Sequence, residues 1–362
     1  MIDFTNDFLS EKAKGLTPYV AGLQPREAGW VKLNTNENPY PPSSKVREAI
    51  QSADIAGLRL YPDGDSTKLR EAIANELGVN AENIFCGNSS DEVLALAFQA
   101  FFSGKDNVLT PDISYGFYPV WGKMYDVRLK QLPVSDDFTL NPDDYKNGSG
   151  VIIANPNAPT SLALGLSEIE KILQLNPKGV VLVDEAYIDY ANVEQAYGLI
   201  SQSYQNLLVV RTFSKSHALA GLRVGYAIGH SQLIDALMRV RDAFNSYPLD
   251  MLAQAAAIAA IQDKSYLQET VKRIVITRDK TIARLQAMGY RVLPSQTNFI
   301  LVITADAQDL YHYLQNNKIL ARHWDTPRLK NCLRVSIGTD TDMEAFLQCV
   351  QEYTNAKQMK PM

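Results

Sequence analysis

A lysine directly after an apolar run is the residue of this sequence best suited to covalent chemistry. Lys215 ends the motif Thr-Phe-Ser-Lys, which follows the apolar run 207–210 and lies shortly before Arg223. The amine of such a lysine can form a Schiff base with an aldehyde cofactor. The hydroxyl groups of Thr212 and Ser214 and the guanidinium of Arg223 are suitable donors to a phosphate on that cofactor. The motif therefore predicts a site for a phosphorylated aldehyde.

A carboxylate and a tyrosine follow a second apolar run. The run 180–183 is followed by Asp-Glu-Ala-Tyr at 184–187. The carboxylate of Asp184 can keep the pyridine nitrogen of pyridoxal 5'-phosphate (PLP) protonated, which strengthens the ring as an electron sink. Tyr187 can donate a hydrogen bond to the phenolic oxygen of the same cofactor. An aspartate here could also simply cap a helix, so the prediction depends on its agreement with Lys215.

Further cofactor contacts are predicted upstream. Residues 87–91 read Gly-Asn-Ser-Ser-Asp and precede an apolar helix. The N-terminus of a helix carries unpaired N–H groups and a dipole that favours phosphate, so Ser90 and Asp91 are the expected contacts. Tyr115 and Tyr118 lie in a loop after the run 107–109, and either ring could stack on a flat pyridine. Tyr115 is preferred because it directly follows the turn at the strand end.

A parallel sheet is needed to bring these side chains together. Short runs rich in Val, Ile and Leu alternate with helix-length stretches, as in a sheet that is buried on both faces. The predicted strands lie at 107–109, 151–154, 180–183 and 207–211, and the predicted helices at 69–77 and 91–102. Ligands of open α/β sheets bind at the carboxyl ends of the strands, which is where Asp184 and Lys215 lie. The pattern predicts a large α/β domain with a doubly wound, mainly parallel sheet.

The pattern changes after about residue 245. Long helices over 252–261 and 265–288 are followed by strand-like runs at 298–303 and 332–337, which predicts a smaller α+β domain. The first residues contain several prolines and glycines and are predicted to be an arm that packs on other parts of the protein. The predicted organisation is an N-terminal arm at 1–35 that is part of the small domain, a large domain at 36–245 and a small C-terminal domain at 246–362.

Composition excludes several classes of partner. The formal net charge is -5, and the 35 basic and 40 acidic residues are scattered, so the chain has no basic face for nucleic acid or for a membrane. It has no apolar run long enough to span a bilayer and no signal peptide. The three cysteines lack CxxC spacing, and the four histidines lack the spacing of a metal motif. We therefore expect a soluble cytoplasmic protein without a metal.

Four motifs together resemble the fold-type I, PLP-dependent (class II) aminotransferases of the histidinol-phosphate aminotransferase branch. They are Asn-Thr-Asn-Glu-Asn-Pro at 34–39, Asp-Glu-Ala-Tyr at 184–187, Thr-Phe-Ser-Lys at 212–215 and Leu-Ala-Gly-Leu-Arg-Val-Gly-Tyr at 219–226. The resemblance runs from about residue 19 to the end of the C-terminal domain. It implies that Lys215 carries PLP and that the protein is a homodimer with active sites at the subunit interface.

The resemblance also implies several roles that the local sequence does not indicate. Tyr61 would reach the cofactor phosphate of the neighbouring subunit. Tyr19 and Asn36 would lie where the N-terminal arm closes over the substrate. Arg322 and Arg334 would bind the substrate anion, which is a phosphate in one half-reaction and a carboxylate in the other.

The sequence departs from the family pattern at two positions. Family members commonly read Asn-Pro-Asn-Asn-Pro-Thr-Gly where this chain has Asn-Pro-Asn-Ala-Pro-Thr-Ser at 155–161, so Ala158 replaces an asparagine. The hydrogen bond of that asparagine to the phenolic oxygen is expected either from Asn157 or from Tyr187 alone. In the phosphate loop, Ser89 stands where glycine is usual, and it either adds a hydroxyl contact or fits the turn.

The resemblance implies an activity in histidine biosynthesis. The enzyme would move an amino group between histidinol phosphate and 2-oxoglutarate or glutamate, with ping-pong kinetics. An aromatic amino acid aminotransferase and a PLP-dependent phosphothreonine decarboxylase carry closely similar motifs, and both alternatives stay open. A Rossmann-like binding protein is disfavoured because the chain lacks GxGxxG after its first strand.

Overall fold

The structure is a computed structural model, and it describes residues 8–19, 22–25, 27–202 and 204–358. Its β-strands are β1 (Val31–Lys32), β2 (Ile84–Asn88), β3 (Val108–Pro111), β4 (Leu129–Leu132), β5 (Gly150–Ala154), β6 (Val180–Asp184), β7 (Leu207–Thr212), β8 (Val224–Gly229), β9 (Arg291–Val292), β10 (Phe299–Ile303), β11 (Ile319–Leu320), β12 (Arg322–His323) and β13 (Cys332–Ser336). Its α-helices are α1 (Glu11–Gly15), α2 (Ser44–Gln51), α3 (Thr67–Leu77), α4 (Ser89–Ala97), α5 (Tyr118–Met124), α6 (Leu166–Leu175), α7 (Ser231–Phe244), α8 (Met251–Gln262), α9 (Lys264–Ala287), α10 (Ala307–Asn316) and α11 (Asp340–Gln358). The π-helical segment Phe98–Phe102 continues α4.

A seven-stranded sheet forms the centre of the large domain. Its strand order is β2-β8-β7-β6-β5-β3-β4, and the strands are parallel except for β8, which is antiparallel to both neighbours. Strands β5 to β8 are almost completely buried, which explains why β5, β6 and β7 read as continuous apolar runs. The predicted α/β fold class is confirmed.

Helices cover both faces of this sheet. Successive strand residues point to opposite faces, and in β6 Val181 and Val183 pack against one helical layer while Leu182 packs against the other. The first layer contains α3, α6 and α8, and the second contains α4, α5 and α7. Both faces are therefore sealed, and the carboxyl edge of the sheet stays available for ligands.

A second core lies beneath a four-stranded antiparallel sheet with the order β12-β13-β10-β9. Helices α9, α10 and α11 pack against this sheet through residues such as Ile274, Leu314 and Phe346. The N-terminal segment joins the same core, because β1 pairs in parallel with β11 and Leu33 is buried there. No helix in the described part of the chain is long and apolar enough to cross a membrane.

The helix α8 packs with the large domain. Its buried face, which includes Ala253, Ala256 and Ala260, belongs to the same core as the central sheet and contacts α2 and α3. The sequence pattern placed the domain boundary at residue 245, before this helix. We instead propose that the boundary follows α8, because a helix belongs to the core in which it buries its apolar face.

Candidate active site

Two adjoining cavities lie at the carboxyl edge of the large sheet. We call them the inner cavity and the outer cavity, and they share Tyr115, Ala158 and Tyr187 as lining residues. The residues predicted from the sequence that line the inner cavity are Ser89, Ser90, Asp91, Tyr115, Asp184, Tyr187, Thr212, Ser214, Lys215 and Arg223. The fold therefore brings side chains from five separate segments to one place.

A buried carboxylate lies at one side of the inner cavity. Asp184 ends β6 and is 5% exposed. Its Oδ2 atom accepts a hydrogen bond from the hydroxyl of Tyr118 at 2.9 Å, and its Oδ1 atom accepts one from the backbone N–H of Ala186 at 3.2 Å. Burial raises the pKa of Asp184 to about 6. At neutral pH the carboxylate is charged in an apolar site, which favours a cationic N–H donor as its partner.

The raised pKa of Asp184 predicts a stability change that depends on pH. In the cofactor-free protein the folded state holds this proton more tightly than the unfolded chain, whose pKa is near 3.8. Stability from this group is therefore greatest below about pH 4 and is lost as the pH rises to about 6. We expect Asp184→Asn to stabilise the cofactor-free protein by about 2 to 3 kcal/mol at pH 8 and by almost nothing at pH 4.

Urea unfolding of the cofactor-free wild type and variant at the two pH values measures this difference. Asp309→Asn, a change at an exposed aspartate of α10, is the matched control. A gain of equal size at both pH values would contradict the assignment, because it would not arise from ionisation of Asp184.

Backbone geometry forms an anion cradle at the start of α4. Ser89 begins this helix with φ +70°, and a Cβ atom on Gly225 of β8 would lie 2.2 Å from the backbone nitrogen of Ser90. Glycine at 225 is therefore required for β8 to approach the helix start. The exposed N–H groups of the first helical turn favour an anion at this point.

Side chains around the cradle are also suited to an anion. The Oγ atom of Ser214 is buried and has no hydrogen-bond partner among the described residues. Asp91 accepts hydrogen bonds from the hydroxyl of Tyr115 at 2.8 Å and from the guanidinium of Arg223 at 2.8 Å. The carboxylate of Asp91 thus fixes these two side chains at the rim of the cavity, rather than facing an anion itself.

Lys215 is the lysine that lines the inner cavity. Its Nζ atom donates to the backbone oxygen of Thr35 at 3.3 Å and is 5.7 Å from the ring centre of Tyr187. Lys215 follows β7, whose neighbour β6 carries Asp184 at its end. The amine is thus available to a ligand that extends from the cradle at Ser90 to Asp184.

The donors and acceptors of the inner cavity fit PLP. The unpartnered hydroxyl of Ser214, the helix start at Ser90 and the guanidinium of Arg223 match a phosphate. Asp184 matches a protonated pyridine nitrogen, and Lys215 matches an aldehyde. Among the residues that the structure describes, no cluster of His, Cys, Asp and Glu could hold a metal ion.

Four predicted residues line neither cavity: Asn157, Asn36, Tyr61 and Arg322. Asn157 is buried, its Oδ1 atom accepts from Ser114 at 2.8 Å, and its Nδ2 atom donates to Ile113 and Thr160 at 2.9 and 3.0 Å. These three hydrogen bonds hold its amide inside the loop, so it does not replace the asparagine that is missing at Ala158. Asn36 is also buried, and its amide contacts the hydroxyl of Tyr187 instead of the cavity.

The outer cavity has aromatic walls and two arginines, Arg328 and Arg334. Tyr19 from the N-terminal segment lines it and stacks on Phe117, with 4.3 Å between the ring centres. Trp324 and Arg334, which belong to the small domain, also line this cavity. These residues come from both domains, so the cavity depends on how the domains pack.

Arg322 and Arg334 face each other across neighbouring strands. They are direct partners in the antiparallel register of β12 and β13. Their guanidinium groups lie 5.8 and 5.6 Å from the ring of Trp324. Burial and, to a smaller extent, the charge of Arg322 lower the pKa of Arg334. The Nε atom of Arg334 is buried without a hydrogen-bond partner in the described chain. Like charges in this arrangement are unfavourable unless an anion binds between them.

Tyr61 lies apart from both cavities of its own chain. It is 81% exposed and stacks on Tyr247 at 4.7 Å between ring centres. A tyrosine at this position can contribute only to another chain or to the surface.

Sequence reasoning missed three residues of the site. Tyr118 holds Asp184, and Trp324 and Arg328 line the outer cavity. Arg328 also joins the domains, since it donates to Asp112 at 2.8 Å and to the backbone oxygen of Val134 at 2.9 Å. The sequence predicts Tyr118 only as a possible stacking ring, and the motifs contain no signal for the other two.

Comparisons with known proteins agree with this geometry. The model of a family described as aminotransferase class I and II matches residues 28–350. The chain is 45% identical to a histidinol-phosphate aminotransferase of Brachyspira hyodysenteriae over 95% of this chain and 98% of the relative. It is 46% identical to a histidinol-phosphate aminotransferase of Acinetobacter baumannii over 95% and 97% of the two chains. A structure of histidinol-phosphate aminotransferase from Sinorhizobium meliloti in complex with pyridoxal-5'-phosphate superposes with a TM-score of 0.85 at 24% identity, covering 98% of this chain and 99% of that one.

Proposed function

The chain belongs to the class I and II aminotransferase family and is a PLP-dependent aminotransferase, and on this premise we propose that it is a histidinol-phosphate aminotransferase. It moves an amino group between histidinol phosphate and 2-oxoglutarate or glutamate, a step of histidine biosynthesis. Relatives with 45% identity over nearly the whole chain carry this activity in their names. The observation in the structure that best supports the substrate is that Arg334 lines an aromatic cavity and is the direct cross-strand partner of Arg322.

Lys215 performs the covalent and proton-transfer work in this proposal. When bound, PLP supplies an aldehyde that captures amino groups and a protonated ring that accepts electron density. The amine of Lys215 would hold the cofactor at rest and, when free, would move a proton at the reacting carbon. Asp184 would keep the pyridine nitrogen protonated, because its buried carboxylate lacks another cationic partner among the described residues.

The two arginines select the substrate by charge. A guanidinium binds phosphate and carboxylate groups with the same planar pair of N–H donors. Arg322 and Arg334 can therefore hold the phosphate of histidinol phosphate in one half-reaction and a carboxylate of glutamate in the other. Tyr19 and Trp324 provide apolar walls for the flat imidazole ring between the anion and the amine.

A half-reaction assay tests the substrate directly. Purified enzyme loaded with PLP is mixed separately with histidinol phosphate, phenylalanine and O-phosphothreonine, and its conversion to the pyridoxamine form is followed by absorbance. We expect the fastest conversion with histidinol phosphate. Fast conversion with phenylalanine and none with histidinol phosphate would identify an aromatic amino acid aminotransferase. Release of carbon dioxide from O-phosphothreonine would identify the decarboxylase.

We propose further that the enzyme is a homodimer with shared active sites. Tyr61 forms an exposed apolar patch with the adjacent Leu60 and with its stacking partner Tyr247, which are 58% and 47% exposed. Contiguous patches of this kind commonly mark interfaces between proteins. In the dimer, Tyr61 would leave solvent and contact the cofactor phosphate in the partner subunit.

Mixing two inactive variants tests whether Tyr61 acts across the interface. In a heterodimer of Lys215→Ala and Tyr61→Ala subunits, one site has an intact lysine and receives an intact Tyr61 from the other subunit. We expect that refolding the two variants together restores activity, because one of the two sites in each heterodimer is complete. If Tyr61 acted within its own chain, every site would lack one of the two residues and no activity would return. Ile276→Ala, at an exposed residue of α9, controls for loss of surface apolar area.

For the compartment, we propose the cytoplasm. Cys86, Cys332 and Cys349 are all buried free thiols, and thiols of this kind persist in a reducing environment.

A further inference from the structure

The replacement at Ala158 leaves a gap in the set of donors around the inner cavity. Ala158 lines this cavity with a methyl group, and the neighbouring amide of Asn157 is held by Ser114, Ile113 and Thr160. Tyr187 therefore remains as the predicted donor to the phenolic oxygen of the cofactor. Its hydroxyl has a single proton to donate, so the other partners of that hydroxyl decide whether the proton is available.

The hydroxyl of Tyr187 has one such partner in Asn36. The Nδ2 atom of Asn36 donates to the Tyr187 oxygen at 2.9 Å. The Oδ1 atom of the same amide accepts from the Oγ atom of Ser336 at 2.9 Å, and Ser336 Oγ in turn accepts from the backbone N–H of Asn36 at 2.8 Å. Asn36 and Ser336 are 2% and 3% exposed, so water does not compete for these groups.

The orientation of the Asn36 amide controls the proton of Tyr187. With Nδ2 toward the tyrosine, Asn36 uses a lone pair of the hydroxyl and leaves its proton free. With the amide turned over, the oxygen of Asn36 would accept that proton and remove it from the cavity. Ser336 favours the first orientation, because its Oγ atom already accepts from the Asn36 backbone and its own proton goes to Oδ1.

We infer that Asn36 and Ser336 are positioning residues that direct the hydroxyl proton of Tyr187 into the inner cavity, where it compensates for the donor missing at Ala158. The inference rests on the proposed role of Tyr187 toward PLP. It replaces the expectation that Asn36 contacts the substrate. It links the two domains to the cofactor site, since Ser336 ends β13 of the small domain.

The absorbance of the bound cofactor gives a readout other than activity. A hydrogen bond donated to the phenolic oxygen stabilises negative charge on it, and so lowers the pH midpoint at which the visible absorption of the Lys215-bound cofactor changes. Tyr187→Phe removes the donor and is expected to raise this midpoint by about one pH unit. An unchanged midpoint in Tyr187→Phe would contradict the proposed role of Tyr187, independently of the results for Asn36.

Two substitutions of Asn36 separate direction of the proton from structural support. Residue 36 has φ +56°, a conformation that both aspartate and glycine accept. Asn36→Asp places an acceptor against Tyr187 that captures its proton, so the midpoint should rise as far as in Tyr187→Phe. Asn36→Gly removes the amide but leaves the proton free, so the midpoint should move by less than about 0.3 pH unit. Equal shifts in the two Asn36 variants would overturn the inference.

The double variant excludes a direct effect of the new charge. If the carboxylate of Asn36→Asp acts through the hydroxyl, adding it to Tyr187→Phe should cause no further shift. Additive shifts would show that the carboxylate acts by its charge alone and would overturn the inference.

Ser336→Ala offers an independent test with Asn36 intact. Without the Ser336 hydroxyl, the Asn36 amide is free to turn, so the midpoint should rise by part of the Tyr187→Phe shift. An unchanged midpoint would remove Ser336 from the proposal.

Discussion

Replacing Lys215 by alanine is expected to abolish turnover and the covalent attachment of PLP together. The amine is the one group of the inner cavity that can both bond to an aldehyde and move a proton at the substrate carbon. A positioned acid–base group alone contributes about 10²- to 10⁴-fold to a rate. Because Lys215→Ala removes the covalent role as well, kcat should fall by about 10⁴-fold or more.

Two further variants show which property of Lys215 is needed. Lys215→Arg keeps a positive charge, but its guanidinium stays protonated and cannot serve as the amine; it should be as inactive as the alanine variant. Lys280→Ala, at an exposed lysine of α9, should behave as the wild type. Borohydride treatment followed by peptide mass analysis locates the attachment. Normal turnover of Lys215→Ala, with a reduced adduct on a different lysine, would refute the assignment.

The central sheet could be predicted because its inner strands are buried on both faces. The runs 151–154, 180–183 and 207–210 of strands β5, β6 and β7 are apolar at every position, which gives a signal that does not depend on the partner strand. Strands β2, β4 and β8 were not predicted. β8 contains glycine at both 225 and 229, and Gly225 is needed for the close approach to α4 rather than for strand formation. That requirement arises from the tertiary fold and leaves no local pattern.

The inner cavity could be predicted for a related reason. Asp184 and Lys215 directly follow detectable strands, so their positions at one edge follow from the parallel order of β6 and β7. The partners of Asn36 could not be predicted, because Tyr187 is 151 residues away and Ser336 is 300 residues away along the chain. For Asn157, the sequence suggested a position near the cofactor but could not show that Ser114 and Ile113 had already engaged its amide.

The domain boundary also depends on contacts that the local sequence does not reveal. Helix α8 and helix α9 follow each other closely and both read as long helices, so composition suggested one domain for the two. The difference lies in where their buried faces pack. Small residues such as Ala253 and Ala257 allow α8 to approach α2 and α3 of the large domain, while Ile274 of α9 packs in the smaller core. Only the contacts made by each face distinguish the two helices.

Arg334→Ala is expected to raise KM for both substrates while the cofactor remains bound. Its guanidinium lines the outer cavity, and its Nε atom is buried without a partner in the described chain, so a substrate anion would supply a hydrogen bond that the protein does not. Loss of a charged contact in such a site costs about 2 to 5 kcal/mol. The corresponding increase in KM is about 30-fold to several thousand-fold for histidinol phosphate and for glutamate.

The pair with Arg322 makes this prediction specific. If both guanidinium groups hold one anion, as their direct pairing across β12 and β13 suggests, Arg322→Ala should raise the same two KM values. The double variant should then lose less binding free energy than the two single variants together, because the second arginine no longer has a complete anion site to support. Arg334→Lys should lie between alanine and wild type, since it keeps the charge but not the planar pair of donors. Arg291→Ala, at an exposed arginine of the same sheet, is the control. Steady-state kinetics with each substrate in turn measures the wild type and the five variants, and unchanged KM values in Arg334→Ala would remove this arginine from the anion site.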